Sequence, residues 1–453
     1  MKLFGKPAAF LLAMAVLIGS VCIGASAVIE PPDLTDMHAT AYAIYNIDND
    51  FLLYSEQYET EIAPASTVKI LTGIMTFEYF QDRRDEMITV TADSLSGANG
   101  NSIGLEVGEI ISVDSLLRAL IIYNANDAGN VLAYTMSGSV ANFVIAMNEK
   151  AQQLGCDHSF FVNPSGVDDK EMHTTIHDLI RISTYASKNE EYLDLTSTDY
   201  CVLPATNLSE ERTINNRNHM VSTFYYTRYF DLNAKGLNAG ATEAGGYCLV
   251  SLIRRDGISY IVVIMNSEYD KENDRHFCYG DADILLEWAY ENYGLVNIVD
   301  TTTMVCEIPV ELSADTDHMT LLPGKNVELY LPADADIEKD VTVSYDLFSD
   351  TMQAPIKQGE IAGVLTAKYK GKLVTTVNLI AKNSVARSEL LYYMSILKKI
   401  VTSPVFILVL VLAAIAVAAF FAFAAAIREK KRRAALARRR RYVKTVQKTK
   451  KGM

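Results

Sequence analysis

Between Val405 and Ile427 the chain runs for 23 residues without a charge. Lipid offers backbone groups no water to bond, so such a run must close its own hydrogen bonds as a helix. At 1.5 Å per residue it would span about 34 Å, enough to cross a bilayer core. Directly after it come Arg428, Lys430, Lys431, Arg432 and Arg433, then four consecutive arginines from Arg438. Positive charge stays on the cytoplasmic side of a span, so the tail is expected in the cytoplasm and everything before the span on the outer side. The other end agrees. Lys2 and Lys6, the apolar stretch from Ala8 to Val21, and Ala25-Ser-Ala27 have the layout of a secretory leader cleaved after Ala27.

The formal charge of −14 conceals a split between tail and body. Thirteen Lys or Arg against one Glu put the tail from Arg428 near +12, and discounting the two leader lysines leaves the exported body near −28. A body this acidic repels a phosphate backbone, which excludes nucleic acid as its partner. Topology and anionic headgroups account for the basic tail. Cys156, Cys201, Cys248, Cys278 and Cys306 follow the leader, odd in number and far apart. They give no disulfide framework and no C-x-x-C metal spacing, so mostly buried thiols are expected. His173 and His177 stand at helical spacing, but Thr174 occupies the place where a zinc protease carries Glu. That segment reads as a capped helix, and no metal or other cofactor is expected.

Within the body, apolar residues at Ala39 to Tyr45 and Phe51 to Tyr54 flank turn residues and predict a β-hairpin. Pro64 disfavours a helix just before it, and the apolar run after Ser66 predicts a buried helix with Ser66 in its first turn. Further helices are expected from Val113, near Asn126, over Val140 to Gly155 and from Ala282 to Tyr290. Tyr247 to Ile253 and Tyr260 to Met265 predict a second hairpin. From about Val296, short alternating segments such as Val341 to Tyr345 replace the helices and predict a small β-sandwich. The expected layout is a leader over 1–27, an α/β domain over 28–295, the β-domain over 296–383, an amphipathic juxtamembrane segment over 384–404, the span over 405–427 and the basic tail over 428–453.

Lys69 follows Ser66 by three residues, which on a helix brings its amine to the serine one turn away. A desolvated, unprotonated amine can take the serine proton and make the hydroxyl a nucleophile. By itself the pair also fits an N-cap Ser and a surface Lys, so its meaning depends on the surrounding motifs.

Taken in order, Ser66-Thr-Val-Lys69, Leu105-Glu-Val-Gly-Glu109, Asn124-Ala-Asn126-Asp-Ala, Asn163-Pro-Ser-Gly166 and Ala244-Gly-Gly-Tyr-Cys-Leu-Val250 lead into a β-domain and an anchor. This series resembles the D-alanyl-D-alanine carboxypeptidases, the low-molecular-weight penicillin-binding proteins of bacterial wall synthesis. The resemblance implies an α/β fold of the β-lactamase/transpeptidase-like kind, an antiparallel sheet flanked by helices. It implies that Ser66 attacks the carbonyl between two terminal D-alanines of a peptidoglycan stem peptide, with Lys69 as base. Asn126 would touch Lys69 and the substrate backbone, and the N–H groups of Ser66 and Ala241 would form an oxyanion hole. β-Lactams would be covalent ligands, and the catalytic domain would lie outside a bacterial cell membrane.

Two departures from the family pattern stand out. The second motif begins with Asn124 in place of Ser, and an amide cannot relay a proton as a hydroxyl can. The third motif reads Asn238-Ala239-Gly240 in place of Lys-Thr-Gly, which removes the charge and the hydroxyl that hold a substrate carboxylate. Lys235 lies on the opposite side of the strand, and Arg275 is the expected substitute cation. A serine carboxypeptidase trimming stem peptides is the expected function. The alternative is a weak or inactive homologue that binds wall peptide or a partner as a scaffold.

Overall fold

The structure, a computed structural model, describes residues 30–450, with side chains as far as 439; the leader and its cleavage site lie outside the described residues. The chain divides into two compact units, one running to residue 296 and taking in 330–335, the other holding 297–329 and the chain from 336 onward.

The first unit is built on a five-stranded sheet of β1 (Ala41–Asn46), β2 (Phe51–Glu56), β3 (Ala234–Thr242), β4 (Gly246–Arg255) and β5 (Ile258–Ser267). All pairs are antiparallel, in the order β2-β1-β5-β4-β3, so the N-terminal hairpin is completed by strands some two hundred residues later. β4 and β5 carry near-continuous apolar runs because both faces of the sheet are covered. On one face pack α1 (Lys69–Tyr79), α2 (Val113–Ile121), α3 (Asn126–Ser137), α4 (Val140–Gln153), α5 (Ile176–Ala186) and α6 (Glu190–Thr196). The other face is covered by α7 (Phe277–Asn292). α1 is central: Ile70, Leu71, Ile74 and Phe77 are fully buried, so the helix that follows Ser66 is fixed on every side by packing.

Local chemistry sets the helix starts. Ser112, Ser139, Thr175 and Asn189 each accept the backbone N–H three residues on, satisfying a donor that the helix cannot. Thr175 caps the helix expected in the segment of His173 and His177. His173 itself lies before the cap on an extended bridge to Phe160, so only His177 is helical. Among the five cysteines, Cys156, Cys248 and Cys278 are buried thiols, and Cys201 and Cys306 are half-buried.

The second unit holds β6 (Cys306–Glu311), β7 (His318–Pro323), β8 (Val341–Leu347), β9 (Met352–Gln353), β10 (Ile361–Tyr369) and β11 (Lys372–Ala381), in the sheet order β8-β10-β11-β7-β6-β9. Leu321, Leu365, Val377 and Leu379 are buried on its inner face. α8 (Glu389–Val401) starts at a Ser388 cap and exposes Leu390, Met394 and Leu397 along one stripe. α9 (Pro404–Lys450) contains a candidate membrane span within Pro404–Arg439, whose most apolar 18 residues have a mean hydropathy of 3.1. The helix runs on without a break past Ile427, so the charges from Arg428, and not a helix end, limit the apolar span.

Candidate active site

Ser66 lies in the 3₁₀ turn Ala65–Val68 that leads into α1. Ala65 holds a left-handed φ of 47°, which turns the chain sharply just before the serine. The Asn163-Pro-Ser-Gly turn supports this corner. Asn163 Oδ1 accepts the N–H groups of Ser165, Gly166 and Val167 at 3.1, 2.8 and 3.2 Å, so one side chain shapes the whole turn. Gly166 then passes so close that a Cβ there would stand 1.8 Å from the carbonyl oxygen of Ala65; its φ of +78° also favours glycine.

Lys69 is buried, and its Nζ donates to Ser165 O at 2.6 Å and to Ser66 Oγ at 3.3 Å. Burial disfavours the ammonium and pushes the Lys69 pKa down to about 7. The amine can therefore be neutral near neutral pH, within reach of the serine hydroxyl. On the opposite wall Gly240 leaves room for Ser66, since a Cβ at 240 would lie 2.6 Å from Ser66 Oγ. Gly240, Ala241 and Ser66 line one cavity of about 490 Å³.

Asn124 and Asn238 meet each other. Asn124, at a φ of 66° that Asn tolerates, donates from Nδ2 to Ala239 O at 2.8 Å and accepts Asn238 Nδ2 at 2.9 Å. Asn238 thus turns toward Asn124 and is buried, with its Oδ1 lacking a partner. Ala239, one residue on, lines the cavity with a methyl group. Asn126 donates Nδ2 to the carbonyl of Asn99, and its own Oδ1 is buried without a partner. Its neighbour Asp127 accepts from Ser102 Oγ at 2.5 Å and from the N–H groups of Gly104 and Leu105 at 3.1 and 3.0 Å, pinning the loop that brings Asn101 to the cavity. Glu109, from the motif at residues 105–109, is a fixture of the scaffold. Burial alone would raise its pKa, but hydrogen bonds from Arg212, at 2.8 and 3.0 Å, and from Thr206 hold it below the usual carboxylate value.

The cation at the cavity differs from the one expected. Arg275 is exposed, with its guanidinium 4.7 Å from the ring centroid of Phe277. Among the described residues that line the cavity, Arg217 is the one with a cationic side chain. Beside it stand His219, Tyr226 and His276, which belong to none of the sequence motifs. The sequence does carry a signal for them: five of the seven residues from Phe224 to Phe230 are aromatic, soon after Arg217-Asn-His219. Burial pushes His219 down to about 4, helped by the positive neighbourhood of His276 and Arg217, and burial lowers His276 as well.

Comparison with known proteins gives this arrangement relatives. A family model described as D-alanyl-D-alanine carboxypeptidase matches residues 26–269, and one described as penicillin-binding protein 5, C-terminal domain, matches residues 303–387. D-alanyl-D-alanine carboxypeptidase DacF of Bacillus subtilis is 23% identical over 358 residues, 77% of this chain and 86% of the relative. D-alanyl-D-alanine carboxypeptidase DacA of Haemophilus influenzae is 24% identical over 380 residues, 80% of this chain and 88% of the relative. Among solved structures, penicillin-binding protein 5 from Haemophilus influenzae superposes with a TM-score of 0.57 at 22% identity, covering 80% of this chain and all of that one (100%). PBP3 of Streptococcus pneumoniae, described as a peptidoglycan synthesis regulatory factor, superposes with a TM-score of 0.62 at 18% identity, covering 77% and 99%. The first unit has the transpeptidase-like α/β fold, and the second contains the β-domain of these proteins.

Proposed function

Because this chain belongs to the D-alanyl-D-alanine carboxypeptidase family, we propose that it is a membrane-anchored serine carboxypeptidase that trims peptidoglycan stem peptides through an acyl-enzyme on Ser66. The observation that carries this reading is the buried Lys69 amine 3.3 Å from Ser66 Oγ, with its pKa pushed down to about 7. Neutral Nζ takes the hydroxyl proton as Oγ attacks the carbonyl carbon before the terminal D-residue. The backbone N–H groups of Ser66 and Ala241 receive the oxyanion. As the peptide C–N bond breaks, Nζ returns the proton to the departing amine, leaving an ester on Ser66. Water then attacks the ester, Nζ takes a proton from it, and collapse frees the peptide carboxylate and restores the hydroxyl. Asn124 has no hydroxyl with which to share this traffic, so Lys69 carries both transfers.

The substrate carboxylate is assigned to Arg217, since Asn238 is engaged with Asn124 and Arg275 lies over Phe277. β-Lactams, which present a strained amide to the same serine, are the expected covalent ligands. In this reading the span of α9 holds the catalytic unit outside the cell and the basic tail inside. Added protease should destroy the body of the protein on wall-stripped cells and spare a tag after Met453; loss of the tag would reverse the orientation.

The Asn124–Asn238 contact also favours a second reading, a weak or inactive homologue that holds wall peptide as a scaffold, because two amides replace a hydroxyl and an amine. Release of D-alanine from a peptide ending in D-Ala-D-Ala decides between them. The carboxypeptidase reading expects turnover by the detergent-solubilised chain, abolished by Ser66→Ala, and the scaffold reading expects peptide binding without release.

A further inference from the structure

The acyl-transfer chemistry leaves one wall of the cavity unexplained. The Arg217 guanidinium sits 4.5 Å from the ring centroid of Tyr123 and 5.3 Å from that of Tyr225. It donates from Nη2 to Tyr123 OH at 2.9 Å and to Asn101 Oδ1 at 3.4 Å, while its Nε is buried without a partner. Next to it the His219 ring lies 4.7 Å from Tyr226, 5.2 Å from Tyr279 and 5.2 Å from His276, centroid to centroid. His219 is only 8% exposed, and its Nδ1 is buried with no hydrogen-bond partner. Buried polar atoms are nearly always paired, so these two unpaired atoms beside the cavity are suited to polar groups of a ligand. Ala239 adds only a methyl group to this cavity, where the family pattern has the larger, hydroxyl-bearing Thr.

We propose that Arg217 and the box of His219, Tyr226 and His276 form a subsite for the residue that Ser66 releases, and that the preferred leaving residue is an aromatic D-amino acid in place of D-alanine. This rests on the acyl-transfer reading of Ser66. The α-carboxylate and the side chain of a terminal residue hang from the same carbon. A carboxylate held by Arg217 therefore places the side chain in the same cavity that the rings of His219, Tyr226 and His276 line. Flat rings meet such a box in offset or edge-on contact, a geometry that a methyl group cannot offer. A phenol would in addition give His219 Nδ1 a partner. The bonds made and broken are those of the carboxypeptidase reaction: the terminal C–N bond is exchanged for the Ser66 ester, and the amine leaves with the proton from Lys69.

The test uses the full chain in detergent and four peptides that differ only in the last residue, D-Ala, D-Leu, D-Phe or D-Tyr. Release of that residue gives kcat/KM, and acylation of Ser66 by penicillin is measured in parallel. D-Phe and D-Tyr should exceed D-Ala by about tenfold or more, chiefly through KM, with D-Leu behind both. His219→Ala should move the D-Phe to D-Ala ratio toward one, whereas Tyr226→Phe, which keeps the ring, should retain it. Equal or better use of D-Ala by a protein that penicillin acylates overturns the subsite alone, as does a ratio that His219→Ala leaves unmoved. Absence of both acylation and release overturns the acyl-transfer reading and the subsite with it.

Discussion

Replacing Lys69 by Met should stabilise the fold at mildly acid pH while removing the reactivity of Ser66. Lys69 is 3% exposed, and a fall in its pKa from 10.5 to about 7 corresponds to a penalty of about 5 kcal/mol for keeping the ammonium in the folded protein. Below about pH 7 the folded and unfolded chains both hold the proton, and the whole penalty is present. Between that pH and the unfolded pKa only the unfolded chain holds it, so the penalty shrinks by about 1.4 kcal/mol per pH unit and vanishes above. Met fills much of the same space without charge, but it leaves Ser165 O without the 2.6 Å bond from Nζ, a loss of about 1–3 kcal/mol. The variant should therefore be about 2–4 kcal/mol more stable than the parent at pH 6, and should lose that lead between about pH 8 and pH 10. Urea unfolding of the full chain in detergent reads this difference through Trp288, the single tryptophan, whose Nε1 bonds Glu30 O at 2.8 Å in the first unit. A difference that does not change with pH, or a variant less stable at pH 6, would mean that Lys69 is comfortably charged when folded, and its assignment as the base would fall.

Three further outcomes follow from the same geometry. Gly166→Ala places a Cβ against the Ala65 carbonyl and should shift the Ser66 turn, lowering the β-lactam acylation rate by about a hundredfold, read by stopped-flow quenching. A near-normal rate would show that the turn yields. Arg212→Met leaves the fully buried Glu109 without its bidentate partner, and should cost about 3–5 kcal/mol in denaturant unfolding; a loss under about 1 kcal/mol would mean that water reaches Glu109. Asn238→Lys alone should destabilise the chain by about 1–3 kcal/mol by breaking the Asn124 contact, whereas Asn124→Ser, Asn238→Lys and Ala239→Thr together should recover stability and raise D-alanine release from D-Ala-D-Ala peptides. No gain in release from the triple variant would indicate that Arg217 already meets the carboxylate in full.

What the sequence disclosed was local or periodic. The Ser66 to Lys69 spacing, the turn at Asn163, the two hairpins of the central sheet and the uncharged run after Val405 each follow from residues adjacent in the chain. What it hid was made by distant residues. Asn238 reads as a poor carboxylate ligand from its motif position, and its amide bonds Asn124, 114 residues away, a contact that no local pattern carries. Arg275, the cation expected from outside the third motif, lies over Phe277 and does not line the cavity. Arg217 reaches the cavity from the irregular stretch that precedes β3, where its guanidinium lies against Tyr123 and Tyr225, an arrangement without any period for a sequence pattern to carry. The end of the apolar span was legible from charge, while the helix that continues through the basic residues was not.

The claim on which the rest depends is that Ser66 is a nucleophile activated by a neutral Lys69. Intact-mass spectrometry of the full chain after incubation with a penicillin, followed by peptide mapping, tests it most directly. One adduct of the intact drug, located on Ser66, absent from Ser66→Ala and formed faster as pH rises through about 7, is the expected result. An unmodified protein at saturating penicillin, or an adduct that persists in Ser66→Ala, would contradict it.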